Sequence, residues 1–173
     1  MLFVIACIGL AWFFESQATT TLIFVRHAEK AEQPSDNPGL TPAGTQRALE
    51  LGRVLSDIDV VASVDAIYIS QYRRTVDTAR PIARIANIDA RPFDVSNVEA
   101  EVIEIVRRHK GKIVLIVGHS NTIAPMIEEL GGSKKLPEIV DGEYDNMYIV
   151  TIPWFGKVKT LRLRYGVPFS PAS

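Results

Sequence analysis

At 173 residues the chain is long enough for one domain with a sizeable core, and its 47% apolar and 23% charged residues are those of a globular protein, not a disordered or fibrous one. Nineteen basic and twenty acidic residues leave a net charge of −1, which gives no sign of nucleic acid or a charged membrane surface as partner. Any anion must therefore be held by a local cluster of cations.

Residues 1–14 are almost wholly apolar and end in Trp12-Phe13-Phe14. The run falls short of the roughly 20 residues a membrane span needs, and it matches the hydrophobic region of a secretory signal peptide. Ser16 and Ala18 place small residues at the −3 and −1 positions of a cut after Ala18. No Lys or Arg precedes the run, so an uncleaved anchor is the alternative. The expectation is a leader over 1–18, a periplasmic or secreted location, and a domain over 19–173. Cys7 is the only cysteine and lies in the leader, so a mature chain would carry no thiol chemistry.

Thr19 to Val25 reads as a strand buried on both faces, because its apolar residues run on without alternation. It stops at Arg26-His27. Residues 29–39 hold two prolines and a glycine and read as a loop that rims the end of this strand. Thr41 as N-cap and Pro42 at the first helical position open a helix reaching about Ser56. Asp65 to Ser70 is a second strand. Arg73 to Asn87 is a helix bent at Pro81. Ala90 to Phe93 is a short strand, and Ser96 or Asn97 starts a helix to about Lys110, with His109 as a cation in its last turn. Lys112 to Gly118 is the clearest buried strand. It runs into His119, and Ser120-Asn121 then cap a helix to Leu130. Residues 146–152 and 158–163 form a hairpin through Pro153-Trp154-Phe155-Gly156, whose aromatic rings are expected to cover the core. Alternating strands and helices predict a three-layer α/β/α sandwich with a mostly parallel sheet.

Three strands end in polar residues: Arg26-His27, Ser70 with Arg73 and Arg74 just beyond, and Gly118-His119. In a parallel sheet those ends share one side, where open α/β sheets bind ligands. Two imidazoles and at least two guanidiniums would then meet in one pocket. That set suits phosphoryl transfer through a histidine: one imidazole attacks phosphorus, and the guanidiniums offset charge on the equatorial oxygens.

Arg26-His27-Ala28-Glu29 resembles the Arg-His-x-Glu signature of the histidine phosphatase superfamily, the phosphoglycerate-mutase-like proteins. Ser70-Gln-Tyr-Arg-Arg-Thr-Val-Asp-Thr-Ala79 resembles the second block of that family, and on its spacing Arg74 matches the phosphate-binding arginine. Val117-Gly-His-Ser-Asn121 resembles the third block, and Leu40-Thr41 with Gly44 a common turn-helix element. The resemblance covers about residues 20–152. It implies a phosphoglycerate-mutase-like fold and a phosphomonoester hydrolase in which His27 becomes phosphohistidine. Arg26, Arg74 and His119 would form the phosphate pocket, with no metal or other cofactor. The partner implied is a small phosphorylated substrate, with no nucleic acid and no membrane beyond an N-terminal anchor.

Family members often place a carboxyl group between the second and third blocks to protonate the leaving oxygen. Asp94, Glu99 and Glu101 are the options. Glu99 is explained by a capping box with Ser96, so Asp94 is preferred. Glu29 is read as orienting Arg26 or His27, or as a plain loop carboxylate. Arg73 is read as lining the pocket mouth or facing solvent. The short segment between these blocks disfavours a mutase. The alternatives are a protein phosphohistidine phosphatase and a non-catalytic anion-binding module of the same fold. The sequence leaves the natural substrate and the oligomeric state open.

Overall fold

A central strand with a helix pair on each face sets the architecture. The computed structural model describes residues 1–16, 19–58 and 63–170, so Gln17 and Ala18 at the expected leader cut lie outside the described residues. Strand β1 (Thr19–Arg26) pairs in parallel with β4 (Ile113–Gly118) on one side and antiparallel with β5 (Asn146–Pro153) on the other. Beyond β4 lie β2 (Ala66–Ile69) and β3 (Arg91–Pro92), both parallel to it, and β6 (Lys159–Arg164) closes the far edge as a hairpin with β5. The order is β3-β2-β4-β1-β5-β6: four parallel strands with an antiparallel hairpin at one edge.

The unbroken apolar run of β1 is explained by two cores. Ile23 and Val25 point to one face and pack with Leu51 and Leu55 of α2 (Pro42–Ser56) and with Ala79 and Ile82 of α3 (Arg73–Ala86). Leu22 and Phe24 point to the other and pack with Val102 and Ile105 of α4 (Val98–Arg108) and Ile123 and Met126 of α5 (Ser120–Glu129). Burying one such side chain contributes about 1.5–3 kcal/mol. The three layers match the expected sandwich. Helix α1 (Leu2–Ser16) stands outside both cores with its described side chains exposed. Among the described residues no helix is long and apolar enough to cross a membrane.

Register fixes where the strands end. Arg26 lies opposite Gly118, and Ile69 opposite Val117, so three parallel strands finish level. Because β5 runs the other way, Val25 faces Met147, and the segment before Asn146 reaches the same edge.

Local chemistry departs from expectation in five places. Pro81 sits inside α3 without interrupting it, and Asn87 ends that helix in the left-handed conformation, φ 54°. His119, not Ser120 or Asn121, is the N-cap of α5, and its backbone N–H donates to Thr122 Oγ1 at 2.9 Å. The capping box expected of Ser96 and Glu99 does not form: the N-cap of α4 is Asn97, and the Ser96 hydroxyl donates to Asp94. His109 is no helix-end cation. Its ring meets the Tyr68 hydroxyl at 3.0 Å, and burial together with Arg91 lowers its pKa, so it is neutral at pH 7. Trp154 and Phe155 are 70% and 89% exposed, so they do not cover the core as expected.

The Thr41 cap forms as the sequence predicts, with its side-chain oxygen accepting from Gly44 N at 3.0 Å. Gly44 is required here for a second reason: a Cβ at this position would collide with the backbone carbonyl of Glu29, just past β1. Overpacking of this kind costs about 1–3 kcal/mol. Gly44→Ala is expected to lose that much in urea unfolding, with an unchanged m-value.

Candidate active site

At the level strand ends lies a cavity of about 290 Å³ lined by His27, Tyr72, Arg74, Val95, His119, Ser120, Asn121 and Thr122. The sequence proposed four residues around one phosphate, and the structure brings three of them, His27, Arg74 and His119, to this cavity. The rings of His27 and His119 are 5.3 Å apart between centroids. No carboxylate lines the cavity among the described residues. Among the described residues no cluster of His, Cys, Asp or Glu could hold a metal ion.

His27 follows directly from β1. Its backbone N–H donates to Gly118 O at 3.0 Å, extending the β1–β4 ladder by one residue. Ala28 N donates to Thr78 Oγ1 of α3 at 2.9 Å, which pins the next peptide. The ring Nδ1 lies 2.8 Å from Ala28 O. A carbonyl only accepts, so the proton sits on Nδ1 and the lone pair on Nε2. Burial pushes the His27 pKa from 6.5 down to about 3, and His119, Arg74 and Arg26 push the same way. His27 is thus neutral at pH 7, with a free nucleophilic nitrogen.

His119 is oriented by hydroxyls. Its Nε2 meets Ser70 Oγ at 2.8 Å, and Ser70 Oγ meets Thr75 Oγ1 at 2.9 Å. Thr75 has one proton and two carbonyls in reach, Ser70 O at 2.8 Å and Tyr72 O at 2.7 Å. Spent on a carbonyl, it leaves Thr75 to accept from Ser70, and Ser70 to accept from His119 Nε2–H. Burial, then Arg74 and Arg26, lower the His119 pKa to about 4.

The two arginines are placed differently. Arg74 lies in the first turn of α3 and stacks its guanidinium 4.3 Å over the Tyr72 ring. Its Nε is buried without a partner among the described residues, and burial lowers its pKa. Arg26 is buried beside the cavity but does not line it. It acts electrostatically on both imidazoles, while its terminal nitrogens donate to Val140 O at 3.0 Å, Glu143 O at 3.3 Å and Asp141 Oδ1 at 3.2 Å. Its guanidinium stacks 4.4 Å over Tyr144, whose ring lies 5.8 Å from that of His27. Arg26 therefore acts on both imidazoles without lining the cavity, where four lining side chains were expected.

Asp94 does not join it. It is exposed, it accepts from Ser96 N and Ser96 Oγ at 2.8 Å each, and these bonds lower its pKa. A general acid needs the opposite shift. Glu99 and Glu101 do not line the cavity either. Glu29 orients neither Arg26 nor His27; it binds Arg47 of α2, with Nε to Oε1 at 2.9 Å and Nη2 to Oε1 at 2.8 Å. Arg73 is 61% exposed and lies 3.5 Å from Asp77, away from the cavity, so the register that selected Arg74 holds.

Sequence reading missed Tyr72, Tyr144 and the 140–143 segment. Tyr72 sits inside the second block and was legible there as an aromatic beside an arginine. Tyr144 and Val140 carry no local signal, since only the reversed direction of β5 brings them to this edge.

The sequence model of the histidine phosphatase superfamily, branch 1, matches residues 22–94. A comparison with curated proteins finds no significant match. Solved structures share the fold. A phosphoglycerate mutase from Bacillus anthracis superposes with a TM-score of 0.66 at 15% identity, over 86% of this chain and 95% of that one. The protein histidine phosphatase SixA in complex with tungstate gives 0.65 at 16% identity, over 83% and 96%. A mycobacterial glucosyl-3-phosphoglycerate phosphatase gives 0.61 at 15% identity, over 85% and 98%.

Both imidazoles bind protons less readily in the folded chain than in the unfolded one, where their pKa is near 6.5. Their contribution to stability is complete above that pH and drains as pH falls from about 6.5 towards 4. Urea unfolding is expected to lose stability across this window, on the order of 1 kcal/mol or more. The slope should flatten in His27→Asn. An identical slope in that variant would contradict the assignment.

Proposed function

We propose that the chain, whose residues 22–94 match the sequence model of the histidine phosphatase superfamily, branch 1, and whose fold solved structures share, is a phosphomonoester hydrolase of that superfamily working through phosphohistidine on His27. One observation carries the reading: a small cavity that holds a neutral imidazole with a free Nε2, a half-buried guanidinium and a second imidazole, and no carboxylate among the described residues. Such a pocket is short of an anion.

His27 Nε2 attacks phosphorus, and the bond from phosphorus to the leaving oxygen breaks with its electron pair going to that oxygen. Arg74 holds the equatorial oxygens where charge builds up, and His119, whose Nε2–H is engaged by Ser70 Oγ, lines the cavity beside it. Arg26 adds positive potential without lining the cavity. Water then attacks phosphorus, releasing inorganic phosphate and restoring the His27 lone pair. The first turn of α5, at Ser120 and Asn121, lines the same cavity, and a helix N-terminus favours negative charge. The volume suits a phosphate with a small leaving group. The apolar run 1–14 supports an extracytoplasmic location.

A second reading, a protein phosphohistidine phosphatase, is favoured by the missing carboxyl group. A phosphoramidate leaves as an imidazole and needs less help from a general acid than an alkoxide does. Phosphorylated sugars, aryl phosphates and a phosphohistidine peptide, compared at equal concentration, separate the two. Finding the mature chain in the cytosol would favour the second.

His27→Ala is expected to abolish phosphate release while keeping the fold, as seen by circular dichroism. Arg74→Ala should lower kcat by about 10²–10³, and Arg73→Ala should leave it nearly unchanged. Equal loss from both arginines would overturn the assignment. A phosphoenzyme trapped from an aryl phosphate, stable in base and labile in acid, is expected from the parent. Its absence would point to an anion-binding module.

A further inference from the structure

An exposed apolar surface lies at the opposite end of β1 from the cavity. The described side chains of α1 are exposed along its length, among them Phe3, Ile5, Ile8 and Trp12. At its end Phe14 packs against Trp154 of the β5–β6 turn, with ring centroids 5.3 Å apart. Phe155 follows at 89% exposure. Phe13, Phe14, Pro153 and Trp154 line a shallow hollow of about 240 Å³ together with Lys110. A soluble monomer seldom leaves so large an apolar patch uncovered.

Cations lie beside this patch: Lys110 lines the hollow, and Lys157 and Lys159 follow the tip in the chain. Lys110, Lys157 and Lys159 are exposed and make no ion pair among the described residues. The nearby cations of α4 are otherwise engaged: Arg107 and Arg108 both bind Glu104. Lys112 binds Asp65 at 3.1 Å. Aromatic rings with lysines beside them are the pattern of a surface that sinks into the headgroup region of an anionic bilayer. The rings take the acyl boundary, and the ammonium groups take the lipid phosphates. A tryptophan at the tip suits that boundary, since its ring is apolar and its N–H is polar. No described helix is long and apolar enough to cross a membrane.

We propose that α1 is retained and that, with the Trp154–Phe155 tip and Lys110, Lys157 and Lys159, it docks the protein on an anionic membrane surface. The sheet fixes the resulting orientation. Thr19 pairs with Pro153 and Val25 with Met147, so the tip lies at the start of β1 and the cavity at its end. Six residues of strand separate those pairs, roughly 20 Å. A docked molecule presents its cavity to water. Resting on the phosphatase reading, this makes the substrate a water-soluble phosphomonoester and not a lipid headgroup still in the bilayer.

The test is co-sedimentation of the full chain with vesicles of phosphatidylcholine alone and of phosphatidylcholine mixed with phosphatidylglycerol. Binding is read without any turnover measurement, so it stands or falls apart from the role of His27. The parent is expected to bind the mixed vesicles and to bind the neutral ones more weakly. W154S/F155S, exposed positions outside the cavity, should lower partitioning about tenfold. Each of K110Q, K157Q and K159Q should cost about fivefold on anionic vesicles only. The variants should hydrolyse a soluble aryl phosphate at the parent rate. Partitioning unchanged in W154S/F155S would overturn the proposal. So would a chain recovered from cells beginning at Thr19, or a lipid-free dimer that dissociates in W154S/F155S, which would mean that a second copy covers the patch.

Discussion

Two buried imidazoles and a half-buried guanidinium share a cavity to which no carboxylate contributes among the described residues. Positive charge there is costly, because desolvation penalises it and neighbouring cations repel it. The chain resolves the cost by keeping both histidines neutral and by leaving only the arginines charged. An arginine cannot shed its proton within any ordinary pH range. The field that remains favours an anion, and above all one whose charge grows as bonds rearrange.

Much of the framework serves to hold those groups still. The level ends of β1, β2 and β4 bring Ser70, His27 and His119 within reach of one another. Hydroxyls do the fine placement: Thr78 fixes the peptide after His27, Thr75 and Ser70 fix the His119 ring, and Thr122 fixes the His119 backbone. Gly118 belongs to the same device, since a Cβ there would meet the Thr122 hydroxyl at 2.7 Å. Behind them Glu29 and Arg47 tie the loop after β1 to α2, and Arg47 also binds the carbonyls of Tyr165 and Val167.

The fold was legible in the chain because its signals are local and agree. The apolar runs of β1 and β4 need two covered faces, Thr41-Pro42 starts a helix, and both histidines follow strands. Arg74 was legible over Arg73 by spacing alone. What was not legible depended on tertiary direction or on competition between near neighbours. Tyr144 and the carbonyls of Val140 and Glu143 reach Arg26 only because β5 is antiparallel. Asp94 looked unexplained until Ser96 was seen to donate to it rather than cap a helix. Glu29 went to a cation eighteen residues away instead of the arginine three residues before it.

The grip on Arg26 is half covered and half open. The guanidinium is buried, while the Asp141 side chain that meets it at 3.2 Å is 95% exposed. Carbonyl oxygens leave a cation's formal charge intact, so Asp141 is its one direct counter-charge among the described residues. A carboxylate in water is shielded by dissolved ions, over about 10 Å at 0.1 M and about 3 Å at 1 M. In brine the pair weakens, and the potential at the cavity becomes more positive. In dilute buffer the carboxylate offsets it. Ionic strength thus acts on this pocket through a side chain that never enters it.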